Sequence, residues 1–230
     1  MKLNRNQIKY IVVVAMLIDH VAWAFVPTLS LLGQVMHFIG RLTGPTMAYF
    51  LYEGYTHTRD VRKYALRLGA FALVSWIPFS LFETGAWPST DFGVIYTLLL
   101  GLLAMWVWDK AALPIWGKIA VIAVLILLSQ YGDWGYFDVL WPLLLLVNRG
   151  DEKAQWGSFW IICAAAVLMY ATGKRVWWRG AFQIGIFMVP LMLRYLYNGE
   201  AGSKKPFHKW FFYVFYPVHL MVLAALKWFL

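Results

Sequence analysis

The stretch KYIVVVAMLIDH, residues Lys9 to His20, decides how the rest of the chain is interpreted. It opens an apolar run from Ile8 to about Leu29, long enough to cross a bilayer, which requires about 20 residues. Asp19 and His20 lie inside this run at about mid-membrane depth. Because ionisable side chains are costly there, they are kept where they face a bundle interior, a partner or a water-filled cavity. The pair therefore predicts a functional site, and the alternative is hydrogen-bonded contacts that only hold helices together.

The composition is that of a membrane protein with many spans. The 230 residues are 62% hydrophobic and 13% charged, whereas a soluble domain is about half apolar and about a quarter charged. The net charge of +9 arises from basic residues in short loops between apolar runs, which is the pattern of orientation signals and excludes nucleic-acid binding. The single cysteine, Cys163, lies in an apolar run and has no intrachain partner for a disulfide. We predict one integral-membrane domain over residues 1–230.

Apolar runs of membrane length predict an all-α fold, a transmembrane helical bundle of about nine spans, with a range of about eight to ten. The sixth run is short, so one of the nine is alternatively a re-entrant or interfacial piece. The predicted spans are Ile8–Leu29, Leu32–Tyr52, Tyr64–Phe82, Phe92–Trp108, Ile115–Tyr131, Tyr136–Val147, Trp156–Thr172, Ala181–Tyr197 and His208–Phe229.

The distribution of Lys and Arg predicts a cytoplasmic N-terminus and, with an odd number of spans, a C-terminus outside. The first span fits the pattern of a cleavable signal peptide only loosely, and we expect it to be retained because cleavage would remove Asp19 and His20. The loop Gly173–Arg179 is an exception, since it is basic and aromatic on the predicted outer face. Contact with anionic headgroups or an anionic acceptor is one interpretation, and misplaced spans are the other.

Two further residues, Arg41 and His219, join Asp19 and His20 as candidates for a polar cavity. His37 and Arg41 are four residues apart and share a helix face, and His219 lies in the last span at a depth similar to that of His20. Asp19 is not placed to orient His20, because neighbouring side chains point about 100° apart on a helix. A partner for each must therefore come from another span.

Other charged residues are predicted to be solvated or to mark topology. The segment from Tyr55 to Arg67 forms a dense basic patch at the predicted cytoplasmic mouth, suited to phosphates, and plain topology marking is the alternative. No metal-binding or nucleotide-binding motif of the usual kinds is present, so no metal is predicted. Four acidic residues near outer span ends are expected to be solvated, namely Glu83, Asp91, Asp133 and Asp138.

The chain resembles the TraX family, with matching segments in the same order over most of its length and the best match in the first third. The middle spans, five to eight, match only as apolar helices. The segments that carry the resemblance are Ile8-Lys9, Met16-Leu17-Ile18-Asp19-His20, Ile39-Gly40-Arg41, Glu53-Gly54-Tyr55-Thr56-His57-Thr58-Arg59, Tyr64 to Arg67, Ile77-Pro78-Phe79 and Tyr216-Pro217-Val218-His219.

This resemblance implies an acetyltransferase. TraX proteins are linked to N-terminal acetylation of conjugative pilin, and the family looks related to membrane acyltransferases that use acetyl-CoA. Those enzymes share a basic residue, ten intervening residues and a histidine in the first span, which Lys9 and His20 match. The implied localisation is the bacterial inner membrane. The implied acceptor is an amine or hydroxyl of a protein N-terminus, a sugar or a small molecule.

The resemblance also implies roles for individual residues. His20 would act as a general base or carry the acetyl group, and Asp19, Arg41 and His219 would support it, Arg41 at the oxyanion. Acetyl-CoA would bind with its phosphates at the cytoplasmic side and its arm extending the roughly 16 Å from Lys9 to His20. The implied acetyl-CoA-binding residues are Lys9, Glu53, His57, Arg59, Arg62, Tyr64 and Arg67.

Two other classes of function remain open from the sequence. A transporter for protons or an anionic solute would use the same intramembrane Asp, His and Arg groups as a relay or counter-ion. Against it, the chain shows no detectable repeat of the kind that transporters usually carry. A non-catalytic assembly subunit would neither bind coenzyme A nor depend on His20.

Overall fold

A computed structural model describes residues 2–172 and 177–229 of the chain. Within these residues the regular secondary structure is helical, with no β-strand and with two isolated bridges, Leu3 to Tyr197 and Phe92 to Gly132. The all-α prediction is therefore confirmed. In chain order the α-helices are α1 (Arg5–Phe25), α2 (Leu31–Gly40), α3 (Thr43–His57), α4 (Val61–Thr84), α5 (Val94–Lys110), α6 (Ile115–Leu128), α7 (Tyr136–Val147), α8 (Glu152–Thr172), α9 (Met188–Leu196) and α10 (Pro206–Phe229), with 3₁₀ helices at Ser129–Tyr131 and Trp177–Phe187.

Three of these helices are long and apolar enough to cross a membrane, namely Arg5–Phe25, Val61–Thr84 and Pro206–Trp228. Two shorter apolar segments, Ile115–Tyr131 and Tyr136–Val147, fall below that length. The helices are thus those of a membrane protein, while the count of nine spans is not confirmed for the described residues.

Two predicted spans are interrupted in the structure. The second divides at Arg41-Leu42 into α2 and α3, so the break lies just before Gly44-Pro45. That proline falls in the first turn of α3, where a missing N–H is tolerated. The eighth predicted span comprises the 3₁₀ helix Trp177–Phe187 followed by α9. In the predicted basic loop Gly173–Arg179, residues 173–176 lie outside the described part of the chain, and Arg179 is exposed in the 3₁₀ helix.

The chain forms two compact units, and the candidate site belongs to the first, Met1–Met47 with Trp160–Leu230. Within it α1 packs against α2 and α10, and α2 also packs against the 3₁₀ helix Trp177–Phe187. The segment before α1 is tied to the segment after α9, because the Leu3 N–H donates to the Leu196 carbonyl at 2.6 Å and the Leu3 carbonyl accepts from Asn198 at 3.0 Å. These contacts hold the start of α1 against the segment after α9.

The second unit, Ala48–Phe159, is built around α5, which packs against α4, α6 and α7. The backbones of α5 and α7 approach closely, since a Cβ on Gly101 would lie 2.7 Å from the Asp138 carbonyl oxygen. The predicted single domain over residues 1–230 stays a prediction.

The expectation that Asp138 is solvated was wrong. This side chain is fully buried, and its Oδ2 accepts a hydrogen bond from the Thr97 hydroxyl at 2.7 Å. The physical reason is that the first turn of α7 packs on α5, so a residue near a helix end is covered by a neighbouring helix. Glu83 and Asp91 are exposed, as expected.

Candidate active site

Helix α1, Arg5–Phe25, carries two residues of the predicted site, Asp19 and His20, on one continuous helix. A reciprocal cap starts the helix: Asn4 Oδ1 accepts from the Gln7 N–H at 3.0 Å, and Gln7 Oε1 accepts from the Asn4 N–H at 2.9 Å. Because successive residues on a helix point about 100° apart, Asp19 and His20 contact different neighbours. Asp19 faces α2, and His20 faces α10.

His20 is hydrogen-bonded to His219 of α10, with 3.0 Å between His20 Nδ1 and His219 Nε2. Both side chains are buried. His219 Nδ1 lies 2.8 Å from the Phe215 carbonyl oxygen, and because a carbonyl only accepts, this nitrogen must carry a hydrogen. In a neutral His219 ring, Nε2 is then the acceptor, so His20 Nδ1–H is the donor. It follows that a neutral His20 holds its lone pair on Nε2.

Asp19 is held by two residues of α2. Its Oδ1 accepts a hydrogen bond from His37 Nδ1 at 2.7 Å, and its Oδ2 accepts from Arg41 Nη2. All three side chains are buried, and His37 is fully so. A buried carboxylate requires such pairing, since an isolated charge would pay a large desolvation penalty. Through these two hydrogen bonds Asp19 of α1 holds the side chains of His37 and Arg41 of α2 in place.

Aromatic rings enclose the His37 side of this cluster. The His37 ring contacts two aromatic rings, that of Trp23 of α1 at 4.1 Å between ring centroids and that of Phe182 of the 3₁₀ helix at 5.1 Å. The Arg41 guanidinium lies over the Phe182 ring at 5.3 Å, a favourable cation–π arrangement. These rings shield the ion pair and thereby strengthen its electrostatic interactions.

Two glycines allow the close helix approach on which the cluster depends. A Cβ on Gly40 would collide with the Asp19 side chain, reaching within 2.7 Å of its Oδ1. A Cβ on Gly185 would collide with the Phe38 carbonyl and lie 3.1 Å from the Arg41 Cβ. The absence of side chains at these positions therefore sets the α1–α2 and α2–3₁₀ distances.

We expect Gly40→Ala to displace Asp19 from its partners and to lower the free energy of unfolding by about 1–3 kcal/mol, as overpacking does. Gly157→Ala is the matched control, because Gly157 lies within α8 and a Cβ there meets nothing within 4 Å. That change is expected to be neutral or to stabilise by up to about 1 kcal/mol. Thermal unfolding in detergent measures both, and equal effects of the two variants would contradict the packing argument.

The residues expected to bind acetyl-CoA are distributed over both units. Lys9 belongs to the first unit, where its Nζ lies 5.4 Å from the Phe212 ring centroid. The other six are in the second unit, on the end of α3, the following loop and the start of α4, namely Glu53, His57, Arg59, Arg62, Tyr64 and Arg67.

Within that second group the basic side chains form an accessible surface. Arg59 and Arg62 are exposed, and the Arg67 guanidinium lies 5.0 Å from the Tyr64 ring centroid. The hydrogen bond from the Lys63 N–H to Asp60 holds the pKa of that carboxyl below its usual range, so Asp60 is a carboxylate there at neutral pH.

Glu53 and His57 occupy the last turns of α3. Glu53 is buried, and its carbonyl oxygen lies 2.8 Å from His57 Nδ1 while the His57 side chain is exposed.

His37 is the residue of this site that the sequence analysis did not place in the catalytic group. Its four-residue spacing from Arg41 is the signal that indicates a shared face, and both side chains do reach Asp19. The other predicted members divide into two bonded sets, His20 with His219, and Asp19 with Arg41.

Comparison with known proteins places the chain in a family. Residues 4–227 match the family described as TraX protein. The chain belongs to the TraX family. It is also 32% identical to a protein of Dichelobacter nodosus named probable fimbrial assembly protein FimC, serogroup H1, over 97% of this chain and 96% of that protein. No solved structure matches the chain. The range that matches the TraX family includes all four predicted catalytic residues, Asp19, His20, Arg41 and His219.

Proposed function

We propose that this TraX-family protein is a membrane-embedded acetyltransferase that moves the acetyl group of cytoplasmic acetyl-CoA to an amine or hydroxyl acceptor. Membership of a family linked to pilin acetylation supports the reaction class, and the name of the relative from Dichelobacter nodosus refers to fimbrial assembly. The acceptor is a protein N-terminus such as that of a pilin, a sugar or a small molecule. The protein resides in the bacterial inner membrane as a multi-pass protein with its N-terminus in the cytoplasm.

The observation that carries this proposal is the hydrogen-bond chain from the Phe215 carbonyl through His219 to His20. It leaves the His20 lone pair on Nε2, the state required of a general base. In the proposed step, Nε2 takes a proton from the acceptor while the acceptor attacks the thioester carbonyl carbon. The C–S bond breaks, its electron pair passes to sulfur, and the proton is delivered to the thiolate.

A variant of this chemistry uses the same lone pair. His20 itself attacks the thioester carbonyl carbon, carries the acetyl group briefly and passes it to the acceptor. Both routes need a buried, neutral imidazole and a donor for the oxyanion of the tetrahedral intermediate. Arg41 is our candidate for that donor, and its Nη2 also serves Asp19.

The basic residues of the chain suit a donor whose nucleotide part is strongly anionic. Arg59 and Arg62 are exposed beside Arg67 and Tyr64, and arginine forms bidentate hydrogen bonds with phosphate. Lys9 and His20 lie on one helix about 16 Å apart along its axis, which is of the order of an extended pantetheine arm. We therefore place a phosphate of the donor near Lys9 and the thioester at the depth of His20.

Acetyl-CoA binding and slow hydrolysis by the purified protein in detergent test the proposal. His20→Ala is expected to bind acetyl-CoA like the wild type and to lose hydrolysis by about 10²–10⁴-fold, the usual contribution of a general base. His208→Ala is the matched control, since His208 lies at the start of α10 and bonds to Tyr10.

Absence of binding to both the wild type and His20→Ala would overturn the acetyltransferase. It would make proton or anion transport, measured in proteoliposomes without acetyl-CoA, the function to examine. Equal hydrolysis by the wild type and His20→Ala would remove His20 from the chemistry.

A further inference from the structure

His37 has a nitrogen that the proposed function does not use. Its Nδ1 must donate to Asp19 Oδ1, because a carboxylate only accepts. In the neutral ring Nε2 therefore holds a lone pair. This atom is buried and has no hydrogen-bond partner among the described residues.

An unsatisfied buried acceptor is costly and requires an explanation. If His37 served only to hold Asp19, an asparagine would supply the same donor at the Nδ1 position without the buried Nε2. The imidazole adds a lone pair on the side of the ring away from the carboxylate. The arrangement of carboxylate, imidazole and lone pair is that of an Asp-oriented histidine base.

The proton balance of acetyl transfer gives such a second base a task. A hydroxyl acceptor gives up one proton, which ends on the coenzyme A thiol, so one histidine is sufficient. A protonated amine gives up two protons on becoming an amide. One of these passes through His20 to the departing thiolate, and the other needs a separate acceptor before the nitrogen lone pair is available for attack.

Resting on the proposed function, we propose that His37 is a second catalytic base, whose Nε2 removes the first proton from a protonated amine acceptor. The N–H bond of the ammonium breaks, its electron pair stays on nitrogen, and the Nε2–H bond forms. The neutral amine then attacks the thioester carbonyl carbon, and His20 handles the second proton. His37 afterwards releases its proton to solvent, so that acetyl-CoA and R–NH₃⁺ yield the amide, coenzyme A thiol and H⁺.

The surroundings of His37 fit this task. Asp19 bonds to the opposite side of the ring and stabilises the imidazolium that forms, while Arg41 balances the charge of Asp19 in the resting state. The ionisable side chain that bonds to His37 is Asp19 of α1, Arg41 of α2 bonds to the same carboxylate, and the 3₁₀ helix presents the uncharged Phe182 to the ring. Arg179 of that 3₁₀ helix is exposed.

Access to Nε2 requires the cover over His37 to move, and part of that cover is Phe182 of the 3₁₀ helix Trp177–Phe187. Its 11 residues are unusual for a 3₁₀ helix, which rarely exceeds about four residues because its hydrogen bonds are poorly aligned. A second buried acceptor of this helix, Gln183 Oε1, is also without a partner among the described residues. Conversion to α-helix would shorten the segment by about 5 Å and shift Phe182 along the His37 ring.

The test compares wild type, His37→Asn and His37→Leu, with acetyl-CoA and a peptide carrying a free N-terminal amine as the acceptor. The asparagine keeps the donor to Asp19 and removes Nε2, and the leucine removes both. An α-amino group has a pKa of about 7.7–8.0, so the peptide is protonated at about pH 6 and neutral at about pH 9. His37→Asn is expected to lower the rate of peptide acetylation about a hundredfold at the lower pH and less than about threefold at the higher pH.

Other results separate the alternatives. A deficit of His37→Asn that is equal at both pH values, or no deficit, would overturn the role of His37 as a base. A wild type that hydrolyses acetyl-CoA but acetylates no amine at either pH would also overturn it and leave the proposed function standing with another acceptor. If the wild type shows no turnover of acetyl-CoA at all, the proposed function itself fails. His37→Leu measures the contribution of the hydrogen bond to Asp19. Its thermal stability should fall because the leucine has no donor, whereas His37→Asn keeps the donor and should keep its stability.

Discussion

Replacing Arg41 with leucine is expected to lower the free energy of unfolding by about 3–5 kcal/mol, the usual cost of leaving a buried charge without its counter-ion. Arg41 donates to Asp19 Oδ2, and both side chains are buried among Trp23, His37 and Phe182. The leucine would remove the positive charge and retain much of the apolar contact. Thermal or chemical unfolding in detergent measures the effect.

The double variant Asp19→Asn/Arg41→Leu is the control for this prediction. It removes both charges, so a large part of the lost stability should return, because replacing a buried ion pair by neutral groups is often nearly neutral. His37 would keep a hydrogen-bond acceptor in the asparagine side chain. If the double variant were as unstable as the sum of the two single variants, the ion pair would not be the source of the stability.

His219→Leu is expected to reduce acetyl-CoA turnover by about 10²–10⁴-fold under the proposed function, the range in which an oriented histidine base contributes. The leucine cannot accept the hydrogen bond from His20 Nδ1, so His20 loses the side-chain partner that helps to hold its tautomer and ring orientation. His219→Gln places an amide oxygen near the position of Nε2 and is expected to retain much more activity. The measurement is the hydrolysis rate of acetyl-CoA at saturating concentration.

The controls for His219 distinguish orientation from folding. His208→Leu changes another histidine of α10. His208 bonds to Tyr10 and not to His20, so this variant is expected to leave turnover unchanged. Equal losses in His219→Leu and His219→Gln would show that an acceptor at this position is insufficient and would contradict the tautomer argument.

The apolar runs predict where most helices lie, but they do not predict how helices are capped. Helix α7 begins at Tyr136 and ends at Val147, as its apolar run does. Helix α4 extends beyond the run Tyr64–Phe82 at both ends, because Asp60 accepts from the Lys63 N–H at the start and Gly85, with φ of 71°, ends the helix. Hydropathy does not detect polar or glycine caps, so the apolar runs place the ends of such helices incorrectly.

Long-range partners were only partly predictable. The similar depth of His20 and His219 indicates a shared cavity, and the structure places these two rings within hydrogen-bonding distance. The choice of tautomer depends on the Phe215 carbonyl, a backbone atom whose position follows from the turn of α10. Likewise, burial of Asp138 depends on how α7 packs on α5, and residue order alone carries no such information.

The placement of Asp19 and His20 side by side on α1 has a consequence for variation of this chain. The two bonded sets, Asp19 with α2 and His20 with α10, are spaced by one helical step, a rise of about 1.5 Å and a rotation of about 100°. That spacing is a property of one continuous backbone and is independent of any loop. Connecting segments can therefore lengthen, shorten or change composition while the two bonded sets keep their register, whereas a single insertion between positions 19 and 20 would turn one set away from its partners.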